Sequence, residues 1–379
     1  MRTIALAVAM LSAAGCAHAA APQGPVRTEK ATFRVVEVVG GLENPWGMAF
    51  LPDGGMLVTE RPGRLRLVEN GKLRAEPVKG GPEVYARGQG GLLDVALDPA
   101  FAQNRRIYLS YAHAEGGKTT TRVMRARYAP EGLSEQKVIF SAEPMIQSSA
   151  HFGSRLAFGT DGTLFVTVGE RFVARQDAQN LATDLGKVLR ITTDGTAPPD
   201  NPFVGREGAR PEIYTFGHRN PQGLVVDPRN GRVWEQEHGA MGGDEINLLK
   251  PGANYGWPEV AYGKNYDGTT IGTGRSIAPG VEAPVFYWDP SIAPSGMTLY
   301  LGDRFPGWNG DLLVGALKYQ LVSRLDLDEE GRVVKEERFL EGALGRIRDV
   351  RTGPDGLVYL LTDEDPGGLY RLEPVTEAG

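Results

Sequence analysis

Residues 155–168, RLAFGTDGTLFVTV, carry the pattern that decides the fold: an apolar run, a turn with Asp beside Gly, and an alternating apolar run. This pattern is typical of a β-hairpin. It recurs with variation as GMAFLPDGGMLVT at 47–59, GLVVDPRNGRVWE at 223–235 and VRTGPDGLVYLLT at 350–362. Two looser copies, at 92–109 and 297–316, have a longer loop in place of the tight turn. The chain therefore repeats one hairpin motif six times.

The spacing of these copies points to one kind of architecture. They lie roughly 45 to 75 residues apart, and further strand-like runs follow at 64–71, 187–195 and 323–334. Strand pairs at this spacing, each with further strands, are typical of β-propeller blades. A β-sandwich does not explain so long a repeat, and a parallel α/β fold needs intervening helices. We therefore predict an all-β, six-bladed β-propeller that forms one domain over residues 23–375.

Composition agrees with this prediction and excludes some partners. The 379 residues include 51 Gly and 26 Pro, which favour turns between short strands. The net charge is -6 and no basic tract stands out, so nucleic acid is excluded as a partner. Longer loops near 75–90, 140–154, 170–186, 196–216 and 256–292 are expected to build a site at one face.

The first 20 residues, MRTIALAVAMLSAAGCAHAA, read as an export signal. Arg2 precedes an apolar run at 4–11, which is too short to span a membrane. Two processing sites compete: Ala17-His18-Ala19 fits a signal peptidase, and the residues before Cys16 resemble a lipoprotein box. We predict a periplasmic protein without a transmembrane segment, and we favour soluble export over a lipid anchor at Cys16. Cys16 is the only cysteine, so the exported body has no disulfide.

Several enzyme classes lack their motifs here. Beyond the leader the chain has four histidines: His113, His151, His218 and His238. There is no HExxH and no cysteine cluster, which argues against a zinc enzyme. There is also no G-x-S-x-G elbow and no strand–GxGxxG–helix unit, which argues against a serine hydrolase and a nicotinamide enzyme.

Two motifs offer groups for acid–base or anion chemistry. His151 opens HFGSRLAF just before a hairpin, where a loop histidine can act as a base over the central channel. The structural alternative is a histidine that caps a strand. Arg219, in YTFGHRNPQGL, offers a planar fork for a carboxylate or an oxygen-rich ligand, or else it ties two loops together.

Two further stretches offer charged groups. The segment 237–258, EHGAMGGDEINLLKPGANYGWP, combines acids with many glycines, a composition that suits calcium. Its alternative is an ordinary acidic turn. Arg346 and Arg348, in GRIRDV, share one face of a strand and need an anion or a carboxylate between them. That partner is an anionic ligand, or else Asp349 or Glu341.

These motifs together resemble one known family. GQGGLLDVALDP, HFGSRLAF, YTFGHRNPQGL, DEINLLKPGANYGWP and GRIRDV follow one another as in the glucose/sorbosone dehydrogenases. The resemblance spans roughly residues 35–372. It implies a six-bladed propeller, in agreement with the repeats, and it implies pyrroloquinoline quinone and calcium as cofactors.

The resemblance also implies roles for individual residues. His151 matches the general base. The positions that match cofactor contacts are Gln89, Arg219, Asn220, Tyr266, Lys318, Arg346 and Arg348. Gly239 and Ala240 match positions whose carbonyls hold calcium beneath the cofactor. Glu245 and Tyr255 match a second, structural calcium site, Tyr255 through its carbonyl.

The implied activity is oxidation of aldose sugars at the anomeric carbon to lactones. His151 would remove the hydroxyl proton, the hydride would pass to the quinone, and Arg219 with calcium would stabilise the developing charge. The implied partners are an aldose and an unidentified electron acceptor, and the chain is expected to be a monomer or a homodimer. A calcium-dependent propeller lactonase and a non-catalytic glycan-binding propeller are the alternatives.

Three positions depart from the pattern of soluble glucose dehydrogenase. Ala150 replaces an acid before the histidine, and Arg171 stands where a glutamine contacts the cofactor. A tryptophan of the sugar cleft is replaced near Trp288-Asp289. These departures favour the aldose sugar dehydrogenase branch over glucose specificity.

Overall fold

The computed structural model describes residues 21–375 of the chain. Within them, six antiparallel sheets are arranged in a ring, which confirms the predicted six-bladed β-propeller. The leader at 1–20, including Cys16, lies outside the described residues, so export and lipid anchoring stay predictions. No helix in the described part of the chain is long and apolar enough to cross a membrane.

The first half of the ring is built from the strands up to Phe216. Two strands precede the first blade: β1 (Val26–Arg27) and β2 (Thr32–Leu42). Blade one consists of β3 (Pro45–Phe50), β4 (Met56–Glu60), β5 (Arg64–Glu69) and β6 (Lys72–Leu73). Blade two consists of β7 (Leu92–Leu97), helix α1 (Phe101–Asn104), β8 (Arg106–Glu115), β9 (Lys118–Ala129) and β10 (Gly132–Ser141). Blade three consists of β11 (Leu156–Phe158), β12 (Leu164–Val168), the 3-10 turn Arg175–Ala178, β13 (Lys187–Ile191) and β14 (Ile213–Phe216).

The second half has the same plan. Blade four consists of β15 (Pro221–Val226), β16 (Val233–Glu237), β17 (Asp244–Leu249) and β18 (Phe286–Trp288). Blade five consists of β19 (Pro294–Leu299), the 3-10 turn Pro306–Trp308, β20 (Leu312–Ala316), β21 (Leu321–Leu327) and β22 (Val333–Phe339). Blade six consists of β23 (Ile347–Thr352), β24 (Val358–Thr362) and β25 (Gly367–Pro374).

Each predicted hairpin forms the two innermost strands of a blade. Residues 155–168 contain β11 and β12, which pair from Leu156 with Val166 to Phe158 with Leu164. Every residue of β12 is buried, because a blade packs against a neighbour on both of its faces. The alternation of residues in the sequence therefore reflects the two faces of the blade, and both are buried.

The sixth blade is completed by a strand from the start of the described chain. Strand β2 pairs with β25 from Phe33 with Pro374 to Leu42 with Gly367, and so closes the ring. The hairpin repeats did not predict this partner, because the two strands lie more than 300 residues apart in sequence.

Side chains of the second strands tie the first four blades to one another. The hydroxyl of Ser110 donates to the carbonyl of Ser154, 2.6 Å away. The hydroxyl of Thr167 donates to the carbonyl of Pro221, 3.1 Å away, and Thr59 bonds to Leu93 in the same way. These bonds satisfy innermost carbonyls and fix the stagger between blades.

Charged side chains fill the central channel. Six equivalent positions, one in each innermost hairpin, are Gly47, Asp94, Arg155, Gly223, Gly296 and Asp349. Arg155 is fully buried, with Nη1 3.3 Å from Asp94 and 3.1 Å from Asp349. A Cβ at Gly47 would lie 2.5 Å from the Asp94 carboxylate, so glycine makes room for this ion cluster. The buried charges are paired, as their burial requires.

The strand ends divide the loops between two faces. We call the face that carries the loops entering the innermost strands the upper face, and the face with the first hairpin turns the lower face. The loops near 75–90, 140–154 and 170–186 lie on the upper face, and part of 256–292 reaches it where Lys264 pairs with Met241. The expectation for 196–216 is wrong, since Arg190 ties Asp200 and the Asp161 turn together on the lower face.

Candidate functional site

His151 lies on the upper face, in the loop between β10 and β11. Its side chain is buried, and Nδ1 lies 3.0 Å from Oε1 of Glu170, just beyond β12. An ionised carboxylate only accepts hydrogen bonds, so Nδ1 carries the proton and Nε2 keeps a lone pair. Within residues 21–375, Nε2 has no hydrogen-bond partner. This nitrogen is therefore free to accept a proton.

The surroundings of His151 keep its ring neutral. Burial is the main cause of its lowered pKa, the bond to Glu170 opposes the shift, and the charge of Arg219 adds to it. A ring with a lowered pKa is uncharged at neutral pH, and only the uncharged ring can serve as a base.

The backbone of this loop is held in an unusual conformation. His151 has a φ of 50°, in the left-handed region that side-chain-bearing residues seldom adopt. Its amide donates to Oε1 of Gln89 (2.7 Å), and the amide of Gln89 donates to the carbonyl of Ser149 (2.8 Å). Gln89, which the resemblance assigns to the cofactor, therefore also holds the histidine loop.

An inner cavity of about 200 Å³ opens beside this loop, at the mouth of the central channel. Side chains of every blade or of the loop entering it contribute to the lining: Trp46, Leu93, Phe152, Gln222, Leu317 and Arg348. The innermost strands converge on the channel, and for this reason six separate stretches of sequence meet here. Gln89 and Arg346 also line this cavity.

Arg219 is almost fully buried and has donors without partners. Its Nη1 donates to the carbonyls of His238 (3.2 Å) and Gly239 (2.5 Å), and its guanidinium lies over the ring of Trp257. Nε and Nη2 are buried and have no partner in the described chain. Buried donors left unpaired are costly, so they fit an anionic or oxygen-rich ligand.

Arg346 and Arg348 share one carboxylate. Nη2 of each bonds to Oδ2 of Asp363, at 3.2 and 2.8 Å. The carboxylate partner is therefore neither Asp349 nor Glu341, the two named from the sequence. Burial alone would raise the pKa of Asp363, but the charges of Arg348 and Arg346 lower it to about 2.

This trio keeps one positive charge beside the cavity. Nε of Arg348 is buried and has no partner among the described residues, while Nη1 donates to Oε1 of Gln222 (3.2 Å). Gln222 in turn donates to Oδ1 of Asn220 (3.4 Å), which also accepts the amide of Gly153 (3.2 Å). Asn220 thus links the arginine to the histidine loop.

Lys318 and Tyr266 line a second space, an outer cleft of about 690 Å³. The cleft adjoins the inner cavity at Ala293. Nζ of Lys318 lies 5.0 Å from the ring centroid of Tyr319, and Tyr266 is 65% exposed. The predicted cofactor contacts therefore fall into two adjoining spaces, with Lys318 and Tyr266 in the outer one.

A cluster of buried acids lies behind Arg219. Glu235 and Glu237 share one face of β16, and they pair across the ladder with Asn247 and Glu245. Burial raises the pKa of Glu235 and of Glu245 well above the usual value, and the charge of Glu237 adds to both shifts. Oε1 of Glu235 has no partner among the described residues. Glu235 and Glu237 are buried and Glu245 is half-buried, and three carboxylates so placed repel one another unless a proton or a cation lies among them.

The acid cluster fits a calcium ion. Glu237, Glu245, Tyr255 and Gly239 line a cavity of about 20 Å³, a volume that suits a single small species. His218 stacks on Tyr255 and bonds through Nδ1 to Glu237 (2.9 Å). Oxygen ligands with several negative charges are those that calcium prefers. Glu237 was not predicted as a member of this site.

The turn at Gly239 and Ala240 brings carbonyl oxygens together. A Cβ at Gly239 would lie 2.1 Å from the carbonyl of Gly242 and 2.4 Å from that of Gly243. Converging carbonyls suit a hard cation. The carbonyl of Gly239 also accepts the bond from Arg219, and Ala240 is buried. A calcium ion held by the carbonyls of Gly239 and Ala240 stays a prediction.

The structure also places the three departures. Arg171 is fully buried and its Nε donates to the carbonyl of Ala150 (3.0 Å), so its guanidinium points into the histidine loop. Trp288 is buried in β18, and Nε1 donates to Glu336 (2.8 Å). Asp289, in contrast, lines the outer cleft.

Sequence reasoning missed several residues of the site. His238 lines the inner cavity, and its Nε2 donates to the carbonyl of Pro294 (2.5 Å). The missed acids had a signal in the repeat itself. An acid stands at or just after the end of the second strand in five blades, and four of these acids, Glu60, Glu170, Glu237 and Asp363, belong to strands that are shorter than β8, which ends at Glu115.

Comparison with known proteins identifies the family of this chain. The family model for Glucose / Sorbosone dehydrogenase matches residues 42–371. The aldose sugar dehydrogenase YliI of Escherichia coli (strain K12) is 45% identical over 349 residues, covering 91% of this chain and 94% of that one. The apo-form crystal structure of soluble aldose sugar dehydrogenase from Escherichia coli matches with a TM-score of 0.86 and 44% identity, covering 90% and 100%.

A solved structure with bound cofactor is also similar. The PQQ-bound form of aldose sugar dehydrogenase from Streptomyces coelicolor matches with a TM-score of 0.75 and 30% identity, covering 94% of this chain and all of that one. The propeller fold and the family match together place the chain among the propeller dehydrogenases. The chain belongs to the glucose/sorbosone dehydrogenase family.

Proposed function

We propose that this protein oxidises aldose sugars at the anomeric carbon to lactones, with pyrroloquinoline quinone and calcium as cofactors. One observation carries the proposal: a histidine with a free Nε2 lies near buried arginine donors that lack partners. The base suits the sugar hydroxyl, and the unpaired donors suit an anionic quinone. The names of the relatives, aldose sugar dehydrogenase and its PQQ-bound form, support the same activity.

The histidine pair would move one proton. Nε2 of His151 would accept the proton of the anomeric hydroxyl, while Glu170 holds the ring through Nδ1 and stabilises the charged imidazolium. When bound, pyrroloquinoline quinone would take up the hydride from the anomeric carbon, with calcium as a Lewis acid. Loss of a proton and a hydride converts the C–OH group into C=O, so a cyclic aldose becomes a lactone.

The cations would bind and orient the cofactor. Arg219 would donate from Nε and Nη2 to cofactor oxygens and stabilise negative charge that develops there. Arg348, through its unpaired Nε, and Arg346 would bind carboxylates from positions in blade six and in the loop that enters it. Asp363 fixes both guanidiniums in place.

Reconstitution tests the proposal against its two alternatives. Purified protein is mixed with pyrroloquinoline quinone and CaCl₂, and aldose-dependent dye reduction is followed beside lactone hydrolysis. We expect dye reduction that needs quinone, calcium and aldose together. Lactone hydrolysis without quinone would favour the hydrolase instead, and sugar binding without either reaction would favour a glycan-binding propeller.

A further inference from the structure

The guanidinium of Arg171 lies under the loop that carries His151. Nε donates to the carbonyl of Ala150 (3.0 Å), and Nη2 donates to the carbonyl of Ser148 (3.0 Å). Cζ lies 3.7 Å from the ring centroid of Phe152. The contacts of one buried cation therefore fall on both chain neighbours of His151.

Further bonds tie the same guanidinium to strand β9. Nη1 donates to the carbonyl of Thr119 (3.0 Å) and Nη2 to its hydroxyl (2.9 Å). In return, the hydroxyl of Ser148 donates to the carbonyl of Arg171 (2.5 Å). No carboxylate lies within ion-pair distance of Arg171 in the described chain. The charge is thus held by carbonyls, a hydroxyl and an aromatic ring, which are all parts of the surrounding structure.

The backbone at Arg171 is strained, and the strain serves the same loop. Arg171 has a φ of 67° and Phe172 a φ of 69°, two consecutive left-handed residues that both carry side chains. Such conformations persist only where surrounding contacts fix them. The turn places the ring of Phe172 edge-on against His151, with centroids 5.3 Å apart.

The arrangement connects the two members of the proton-accepting pair. His151 lies on the loop before β11, whereas Glu170 lies on the loop after β12. The backbone of Arg171 belongs to the loop of Glu170, and its guanidinium donates hydrogen bonds to the loop of His151. A cofactor contact at this position is not supported, because the side chain is fully buried beneath the loop.

We propose that Arg171 is a positioning residue that keeps Nδ1 of His151 against Glu170. It acts by locking the spacing between the two loops, without touching sugar or cofactor. The loop contacts stand on their own, and only the activity readout rests on the proposed function.

The first test compares variants of the reconstituted holoenzyme. For Arg171→Gln we expect kcat to fall at least about tenfold, since small misplacements of catalytic groups are costly. KM for the aldose and quinone affinity should stay within about threefold, as for a loss confined to the transition state. Arg171→Lys keeps the charge but lacks the fork, so it should lose kcat as well.

Arg324→Gln is the matched control. Arg324 is equally buried, but it pairs with Asp311 and Glu337 in blade five, away from the loops of the pair. This variant should lower Tm while leaving kcat unchanged. Wild-type kcat in Arg171→Lys, or equal effects of the two glutamine variants on Tm and kcat, would overturn the inference.

A second readout does not require turnover. Nitrogen NMR of the cofactor-free protein should show His151 as the Nδ1–H tautomer in the wild type and a tautomer mixture in Arg171→Gln. Where that variant does not fold, Thr119→Val removes the hydroxyl that accepts from Nη2 of Arg171 and also bonds to the carbonyl of Ser148, and it should give the same change to a smaller degree. An unchanged tautomer in both variants contradicts the role. An inactive wild type would refute the proposed function and leave this test in force.

Discussion

The two faces of the propeller differ in how often residues other than glycine make their left-handed turns. On the lower face, glycines take most of the positive φ angles of the hairpin turns, as at Gly54, Gly162, Gly231 and Gly356, and Asn70 and Arg105 are the exceptions. On the upper face, residues with side chains also adopt them: Asn44, His151, Ser154, Arg171, Phe172, Ala293, Gln320 and Leu340. Glycine turns form from local preference, whereas the others depend on tertiary contacts. The candidate site thus lies on the face where tertiary contacts override the local backbone preference of the residues.

His151→Ala should have the largest effect, and that effect should be limited to the site on the upper face. Turnover on aldoses should fall at least about 10²-fold, because a general base acts mainly in the transition state. Quinone should stay bound. Steady-state kinetics with saturating quinone and an equilibrium quinone titration check both parts. Turnover close to that of the wild type would refute the assignment of the base.

Arg348→Ala should weaken quinone binding. A lost hydrogen bond to a charged group costs about 1.5–3 kcal/mol, or about 10- to 150-fold in Kd. Fluorescence quenching is a suitable measurement, since Trp46 lines the same cavity. Arg346 is more exposed (43% against 8%), so Arg346→Ala should lose less. Equal quinone affinity in both variants and the wild type would show that Arg346 and Arg348 do not bind the carboxylates of the quinone.

Chelation should destabilise the protein through the upper face. With calcium at 100 times its Kd, removal should lower the free energy of unfolding by about 2.7 kcal/mol. Hydrogen exchange should quicken in β16 and β17, which carry Glu235, Glu237 and Glu245, while the lower-face turns stay protected. Urea unfolding with and without chelator measures the first effect. Identical unfolding curves with and without chelator would show that the acid cluster binds no calcium.

Glu170→Gln should shift the pH profile. Activity needs neutral His151, so it falls as the pH falls through the pKa of that histidine. Glu170 raises this pKa, and its loss should move the acid limb of kcat/KM to lower pH. Turnover at the plateau should fall about tenfold, part of the total that a base contributes. A limb that stays in place would show that the pair does not govern activity.

Gly162→Ala probes the lower face of the same hairpin and should have the smallest effect. Gly162 has a φ of 80° and open space around its Cα, so the cost is backbone strain alone, about 1 kcal/mol. Thermal unfolding should show this loss, while kcat stays unchanged. A loss of kcat here would break the contrast between the faces.

The blades could be predicted because their signal is local. The Asp-Gly turn at 161–162 and the flanking apolar runs specify a hairpin without reference to the rest of the chain. Strand β2 had no such signal, because its partner β25 lies at the far end of the described residues. Loop 196–216 was placed on the wrong face, since it joins the third and fourth strands of blade three and does not connect two blades.

The site divides in the same way. His151 and Arg219 stand in distinctive motifs, so the sequence and its family resemblance could name them. The repeat marks the positions of Glu170, Glu237 and Asp363, but it does not give their roles, because their partners come from other loops or strands. In a propeller, the sequence repeats predict the strands. Which polar residues at the strand ends form a site depends on contacts between the repeats.

The pairing of β2 with β25 closes the ring, so the arrangement of the blades around the cavity does not depend on which blade comes first in the chain. The amide of Val375 donates to the carbonyl of Thr32 (2.8 Å), so the two ends of the ring already lie side by side. A short linker could join them, and new termini could be opened at Gly205 or Gly208, where the structure leaves open space. In such a circular permutant a different blade would be synthesised first, and the folded protein would still form the same cavity at the mouth of the central channel.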